Sequence, residues 1–200
     1  DCSTSLPDTS TRMAAALQAA GGSFLDAAMT KLPQHAKAGT LNLLCGGETE
    51  VLERVRPILE TFSESITHVG GVGAGHRMKL LHNYVSIGFM ALLAEAGAHA
   101  QAAGIDPVTL VDVLGHGGGG GAALQRMAPF LVAGDATNVP FFLANAAKDL
   151  AYYCDMAAHA DVHRAIAEAV NATLGRVTAA GHGAAYLPEL AALLRPAGNA

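Results

Sequence analysis

Three polar side chains share one face of a long stretch of sequence that is otherwise mostly apolar. The stretch runs from Gly70 to Gly104 and opens with several glycines. At about 100° per residue, Lys79, Asn83 and Ser86 would fall within roughly 60° of one another on a helix. A buried lysine needs a counter-charge, yet no carboxylate lies three or four residues from Lys79. Two interpretations stay open: Lys79 meets an anion from elsewhere in the fold or from a ligand, or its ammonium reaches solvent at the helix start.

The overall composition favours a globular protein with a large core and argues against two classes of partner. Of the 200 residues, 51% are hydrophobic and 14% are charged, with a net charge of −5. No block of basic residues occurs and aromatic residues make up only 5%, so we expect no nucleic-acid partner. No apolar run reaches the ~18 residues of a membrane helix, so we expect no membrane partner.

The cysteine and histidine patterns predict a cytoplasmic protein without a metal site. Cys2, Cys45 and Cys154 are odd in number and far apart, which matches neither a disulfide framework nor metal-ligand spacing. A reducing compartment is the default for such a pattern, and no signal peptide is recognisable. His159 and His163 are spaced for one helix face but lack the pattern of a zinc protease.

The first seventy residues alternate between helix and short-strand patterns. We expect a helix from Asp8 or Thr9, capped by Asp8, that ends at Gly21. Apolar runs bounded by glycine predict short strands, and apolar spacing predicts an amphipathic helix before the last strand. The strands are expected at residues 23–30, 40–47 and 65–71, the amphipathic helix at 49–62, and a turn or short helix at 32–39. This mixture is typical of the edge of a larger α/β sheet.

From Gly75 onward the sequence predicts only helices. Residues 84–94 are apolar almost all round, which predicts a buried helix, and Asp106 with Pro107 marks a helix start. The glycines at 117–121 lack the Lys-Ser/Thr and the preceding strand of a phosphate-binding loop, so we interpret them as a connector. The expected helices cover residues 76–103, 106–115, 122–132, 141–160 and 162–180, with a short one from Pro188.

Four motifs, in order, resemble those of the β-hydroxyacid dehydrogenase family, which includes 3-hydroxyisobutyrate dehydrogenase and tartronate semialdehyde reductase. They span nearly the whole chain, and four motifs in register are far more specific than any one alone. They are D-x-S-T-x-x-P at residues 1–7, D-A followed by G-T-L and G-G between 26 and 47, G-x-G-x-x-x-K-x-x-x-N at 73–83, and F-x-x-x-x-x-x-K-D-L at 141–150.

The resemblance implies a fold and an activity. The chain would be mostly α: an all-helical dehydrogenase domain, residues 71–200, would follow the last short strands and helices of a Rossmann-type α/β domain, residues 1–70. The protein would be an NAD(P)-dependent dehydrogenase or reductase that interconverts a small anionic β-hydroxyacid and its semialdehyde by hydride transfer. NAD or NADP would be the cofactor, and the helical part would build a homodimer or homotetramer.

The resemblance also implies roles for individual residues. Lys79 would be the general acid/base, and an anionic substrate would supply its counter-charge. Asn83 would bind and orient the substrate. The other implied substrate contacts are Ser3, Thr30, Lys31 and Ser86, and the implied cofactor contacts are Ser3, Thr4, Gly73, Phe141 and Lys148, with Asp149 pairing locally.

One departure from the family pattern bears on the substrate. Thr30-Lys31-Leu32 stands where the family has S-G-G, which helps to hold a carboxylate, and His82 replaces the first of two asparagines. The sulfolactaldehyde reductase branch also places a basic residue here and resembles residues 73–87. One alternative is therefore that Lys31 meets a sulfonate, and the other is that Lys31 is a solvated loop lysine and the substrate an ordinary hydroxyacid.

A second departure concerns the cofactor. The sequence begins at Asp1 and does not include the family's N-terminal G-x-G-x-x-G unit, where the pyrophosphate normally sits at a helix N-terminus. We therefore expect the chain to be part of a longer protein and, alone, to bind a dinucleotide poorly. Two alternatives stay open: a non-catalytic helical assembly module, and a metal-dependent hydrolase that uses the histidines.

Overall fold

Helices dominate the computed structural model, which describes residues 1–195. The helices are α1 Pro7–Ala19, α2 Pro33–Ala38, α3 Thr49–Leu59, α4 Ala74–Ala102, α5 Pro107–His116, α6 Ala122–Ala133, α7 Leu143–His159, α8 Ala165–Val177 and α9 Leu190–Leu193. The strands are β1 Asp26–Thr30, β2 Leu41–Gly46 and β3 Ser63–Gly70. A turn of π-helix, Thr178–His182, follows α8. Within residues 1–195 no helix is both long enough and apolar enough to cross a membrane.

The strands form one sheet in the order β1-β2-β3. β1 and β2 are antiparallel, with Asp26 opposite Gly46, and β2 and β3 are parallel, with Leu43 opposite Ile66. The helix α3 supplies the crossover that a parallel pair needs. Strand and α3 side chains share a buried apolar cluster, which consists of Ala27, Leu41, Leu43, Cys45, Leu52 and Leu59.

The chain divides into two compact units that differ from the domains expected from sequence. The first contains residues 1–83 and 152–164, and the second contains residues 84–151 and continues from residue 165. The helix α4 runs through both units. The limits of these units do not test the domain boundary predicted at residue 70, which stays a prediction. The second unit has its own fully buried side chains, among them Met127, Leu143, Leu150, Leu174 and Leu190.

The predicted strands and helices are present, and the differences lie at their ends. Leu6 is the N-cap of α1 and Pro7 its first residue. The prediction that Asp8 is the cap was therefore wrong, because a proline at the first helical position already begins the helix. In α5, Asp106 is the N-cap and its carboxylate accepts the N–H of Thr109 at 2.9 Å, which confirms the helix start predicted at Asp106 and Pro107. The helix expected from residue 162 begins only at Ala165.

The helix α4 is buried on one side only, contrary to the prediction of a helix buried all round. Val85, Phe89 and Leu92 are 52%, 54% and 60% exposed. Their spacing of four and three residues places them on one face. The prediction failed because hydropathy does not tell which apolar face packs against the rest of its own chain.

The start of α4 approaches the sheet so closely that only glycine fits there. A Cβ on Gly75 would lie 2.4 Å from the Leu44 carbonyl oxygen and 2.7 Å from Asp26 Oδ2, and a Cβ on Gly46 would lie 2.6 Å from the Gly75 nitrogen. Gly73 precedes the helix with φ +86°, a conformation that favours glycine. The G-x-G motif therefore has a structural reason, which is the approach of two backbones.

We expect Gly75→Ala to lower the free energy of unfolding by about 1–3 kcal/mol, the usual cost of forcing an extra methyl into a packed site. Gly175→Ala on α8 is the matched control, because a Cβ at Gly175 meets nothing within 4 Å. That control should be neutral or stabilising by up to about 1 kcal/mol, because alanine is the better helix former. Denaturant unfolding of the three proteins measures both effects, and equal stabilities would contradict the close approach.

Candidate active site

A buried carboxylate lies at the start of α4. Asp26 is 0% exposed; its Oδ1 accepts the N–H of Gly73 at 2.7 Å, and its Oδ2 accepts the N–H of His76 at 2.9 Å. Main-chain donors at a helix start have no partner within the helix, and a negative charge suits the positive end of the helix dipole. Asp26 therefore joins β1 to the first turn of α4.

The His76 side chain is also fully buried, close to α1 and to the first residues of the chain. Its Nδ1 lies 2.6 Å from Ser10 Oγ. Within the described residues its Nε2 has no hydrogen-bond partner, and it lies 4.0 Å from Asp1 Oδ2. Burial lowers the pKa of His76 below its ordinary value of 6.5, although the Asp26 carboxylate acts in the opposite direction. The imidazole is therefore mostly neutral near pH 7.

The D-x-S-T motif lies against β1. The Asp1 nitrogen donates to the Leu25 carbonyl at 2.7 Å, and the Ala27 N–H donates to the Asp1 carbonyl at 2.8 Å. The Asp1 carboxylate accepts the N–H of Ser3 at 2.8 Å. This turn leaves Ser3 exposed and Thr4 half-buried, so both hydroxyl-bearing residues are held beside the strand that carries Asp26.

The helix α4 carries the polar stripe predicted from the sequence. Lys79 is half-buried and follows His76 by three residues. Asn83 is 7% exposed, and its Oδ1 lies 3.1 Å from Nδ1 of His82. Both Lys79 and Asn83 belong to the first unit, whereas Ser86, which is half-buried, belongs to the second.

The end of β1 holds the residues that replace the family's S-G-G. Thr30 is buried and its Oγ1 donates to the Asn42 carbonyl at 3.4 Å. Lys31 has φ +79°, a left-handed conformation that favours glycine. Its Nζ forms an ion pair with Glu64 and donates to the Thr40 carbonyl at 2.9 Å. The charge of Lys31 is therefore already balanced within the chain.

The second unit carries the remaining predicted residues. Phe141 is half-buried, and its carbonyl accepts the N–H of Leu187 at 2.8 Å. Lys148 is exposed on α7, with its Nζ 3.1 Å from Oδ1 of Asp149, which is 3% exposed. In the part of the chain that the structure describes, no group of three or more His, Cys, Asp or Glu side chains is arranged to hold a metal ion.

Asp26, His76 and Ser10 were not singled out by the sequence analysis, although they surround the start of α4. A signal for Asp26 was present: it is a lone carboxylate within the apolar strand predicted at residues 23–30, which would be an unpaired buried charge without nearby donors. His76 and Ser10 gave no such signal, because their contact joins positions 66 residues apart.

Two family models match consecutive parts of the chain. The NAD binding domain of 6-phosphogluconate dehydrogenase matches residues 1–70, and the NAD-binding domain of NADP-dependent 3-hydroxyisobutyrate dehydrogenase matches residues 73–194. Both matches agree with the cofactor class expected from the motifs.

Curated relatives and solved structures agree with these matches. The 3-hydroxyisobutyrate dehydrogenase of Pseudomonas aeruginosa is 38% identical over 65% of this chain and 44% of its own length. The 3-sulfolactaldehyde reductase of Escherichia coli K12 is 32% identical over 92% of this chain and 61% of its own length. The chain thus spans less than two thirds of either relative. The structure of Mycobacterium tuberculosis 3-hydroxyisobutyrate dehydrogenase with L-serine superposes with a TM-score of 0.89 at 27% identity, covering 98% of this chain and 69% of that one.

The sequence motifs, the helical architecture and the two consecutive matches all point to one family. The second family model alone accounts for more than half of the residues. The chain belongs to the β-hydroxyacid dehydrogenase family of NAD(P)-dependent oxidoreductases.

Proposed function

We propose that the protein that carries this chain interconverts a small anionic β-hydroxyacid and its semialdehyde with NAD(P), and that Lys79 is its general acid/base. The observation that carries the proposal is the placement of Lys79 within the second turn of a helix whose start is anchored to the sheet by Asp26. Asn83 follows one turn later and is nearly buried. An amine and an amide four residues apart on a helix lie side by side.

The chemistry divides between the cofactor and the chain. When bound, the nicotinamide supplies or accepts the hydride. Lys79 gives a proton to the aldehyde oxygen as it is reduced and takes the proton of the hydroxyl as it is oxidised. Its ammonium also stabilises negative charge that develops on that oxygen. Asn83 orients the substrate by hydrogen bonding, and we propose Ser3, Thr30 and Ser86 as further substrate contacts.

The donor groups of the chain fit a pyridine nucleotide. Ser3 is exposed and Thr4 half-buried, and their hydroxyls are donors and acceptors suited to the amide and ribose groups of such a cofactor. We propose Gly73 as a further cofactor contact; its missing Cβ leaves room for Pro7, whose carbonyl oxygen would lie 3.2 Å from a Cβ there. We propose Phe141 and the exposed Lys148 as further cofactor contacts.

We expect Lys79→Ala in the full-length protein to lower turnover by at least ~100-fold, the scale of lost general acid/base catalysis. Steady-state kinetics with small hydroxyacids and NAD(P) measures the effect. Added methylamine should restore part of the turnover, because it replaces the missing base. Lys37→Ala is the control, since Lys37 is an exposed lysine on α2. A Lys79→Ala protein with near-normal turnover would end the assignment.

The sequence leaves open whether the anionic group of the substrate is a carboxylate or a sulfonate. The Lys31 ammonium already lies against the Glu64 carboxylate, whose negative charge offsets its own. We therefore propose that Lys31 does not select the anion, and that a β-hydroxycarboxylate is the substrate class. The sulfonate alternative requires the Lys31 ammonium to leave Glu64.

Lys31→Gly should change KM for carboxylate and sulfonate substrates by similar factors, below about threefold, as expected when a surface pair is removed. Glu64→Gln is the companion variant, because it frees the Lys31 ammonium while keeping the size of its partner. KM values for a matched carboxylate and sulfonate pair provide the measurement. A selective loss of the sulfonate in Lys31→Gly would assign the anion to Lys31 instead.

We also propose that the protein is a homodimer held by the exposed face of α4. Val85, Phe89 and Leu92 line a shallow groove of about 150 Å³ together with Ile166, and all four are more than half exposed. A continuous apolar face of this kind marks an interaction surface, and a second copy presents the same face. The cytoplasmic location stays a prediction.

Phe89→Asp should convert the dimer to a monomer, because it places a charge at the centre of the apolar face. Light scattering after size-exclusion chromatography measures the mass. Val113→Asp is the control, since Val113 is 64% exposed on α5 and does not line this groove. An unchanged mass for Phe89→Asp would place the interface elsewhere.

A further inference from the structure

We infer that Asp26 is a positioning residue for Lys79: its buried carboxylate fixes the first turn of α4 relative to the sheet, and thereby fixes where the Lys79 ammonium lies. The inference rests on the proposed role of Lys79 and adds the group that holds it. Asp26 itself need not touch substrate or cofactor.

The two hydrogen bonds fix both the position and the direction of the helix start. They end on Gly73, the residue immediately before α4, and on His76, the third residue within it. Because one oxygen serves each N–H, the carboxylate plane determines how the first turn is rotated. Lys79 follows His76 by three residues, a rise of about 4.5 Å along the axis. A displacement of the first turn would therefore displace the Lys79 ammonium by nearly the same distance.

The carboxylate has no room to move. Asp26 lies within β1 opposite Gly46, and a Cβ on either Gly46 or Gly75 would come within 2.7 Å of its Oδ2. Its exposed fraction is 0%, so water does not compete for its oxygens. A rigid acceptor of this kind transmits the position of the strand to the helix.

The competing interpretation is that Asp26 only stabilises the helix, as an ordinary cap does. The chain offers a direct comparison, because Asp106 caps α5 through the N–H of Thr109 at 2.9 Å. Asp106 is exposed and lies at the start of a helix that carries no proposed catalytic group. A purely structural role predicts that loss of either carboxylate affects stability alone.

Asp26→Asn in the full-length protein is the test. The asparagine side chain keeps the size of the aspartate. Its NH2 group, however, would face one of the two main-chain N–H groups that now donate to the carboxylate. We expect kcat to fall about tenfold to 100-fold, the scale of a small misplacement of a reacting group, while KM changes less.

Asp106→Asn should lower the melting temperature without changing kcat. If Asp26→Asn behaves in the same way, Asp26 is a cap only and the inference is overturned. If Lys79→Ala keeps full turnover, the proposed function fails instead, so the two failures are distinguishable.

A second measurement needs no substitution. Amide hydrogens in a first helical turn normally exchange quickly, whereas buried bonds to a fixed acceptor protect them. Exchange measured by NMR in the unsubstituted protein should show the Gly73 and His76 amides protected to the level of the middle of α4. Fast exchange at both positions would overturn the inference even if Asp26→Asn fails to fold.

Discussion

The hydrogen bonds from Gly73 and His76 to the buried Asp26 carboxylate are the constraint on which the first unit depends. Taking a carboxylate out of water costs several kcal/mol. Charge-assisted bonds to main-chain donors offset that cost only while the geometry holds, and loss of either donor would leave a buried charge partly unsatisfied. The start of α4 is therefore held against β1 by hydrogen bonds whose geometry cannot change without a loss of stability.

Three motifs that are distant in sequence are explained by this single contact. Asp26 supplies the acceptor, whereas Gly46 and Gly75 supply the space that lets strand and helix backbones meet. The turn at Asp1 packs against the same strand and lies beside the buried His76. The G-x-G before Lys79 is thus a packing requirement at the start of α4.

The same reasoning separates charges that are available for a ligand from charges that are already balanced. Lys31 stands out in the sequence as an added cation, but Glu64 and the Thr40 carbonyl hold its ammonium. Its positive φ is a left-handed conformation that glycine adopts more readily than lysine. The charge of Lys31 is therefore balanced within the chain, which the sequence pattern alone does not reveal.

The sequence by itself determined the elements, the family and the candidate stripe of Lys79 and Asn83. Helical periodicity, the positions of glycines and motif spacing are local properties, so they can be recognised without knowledge of long-range contacts. Only the tertiary structure decided that Asp26 and His76 meet at the start of α4, that Lys31 is paired, and that Val85, Phe89 and Leu92 are exposed. These facts depend on which distant residues come together and which face of a helix packs inward. No local pattern encodes either, because both follow from how the whole chain satisfies its buried polar groups and fills its core.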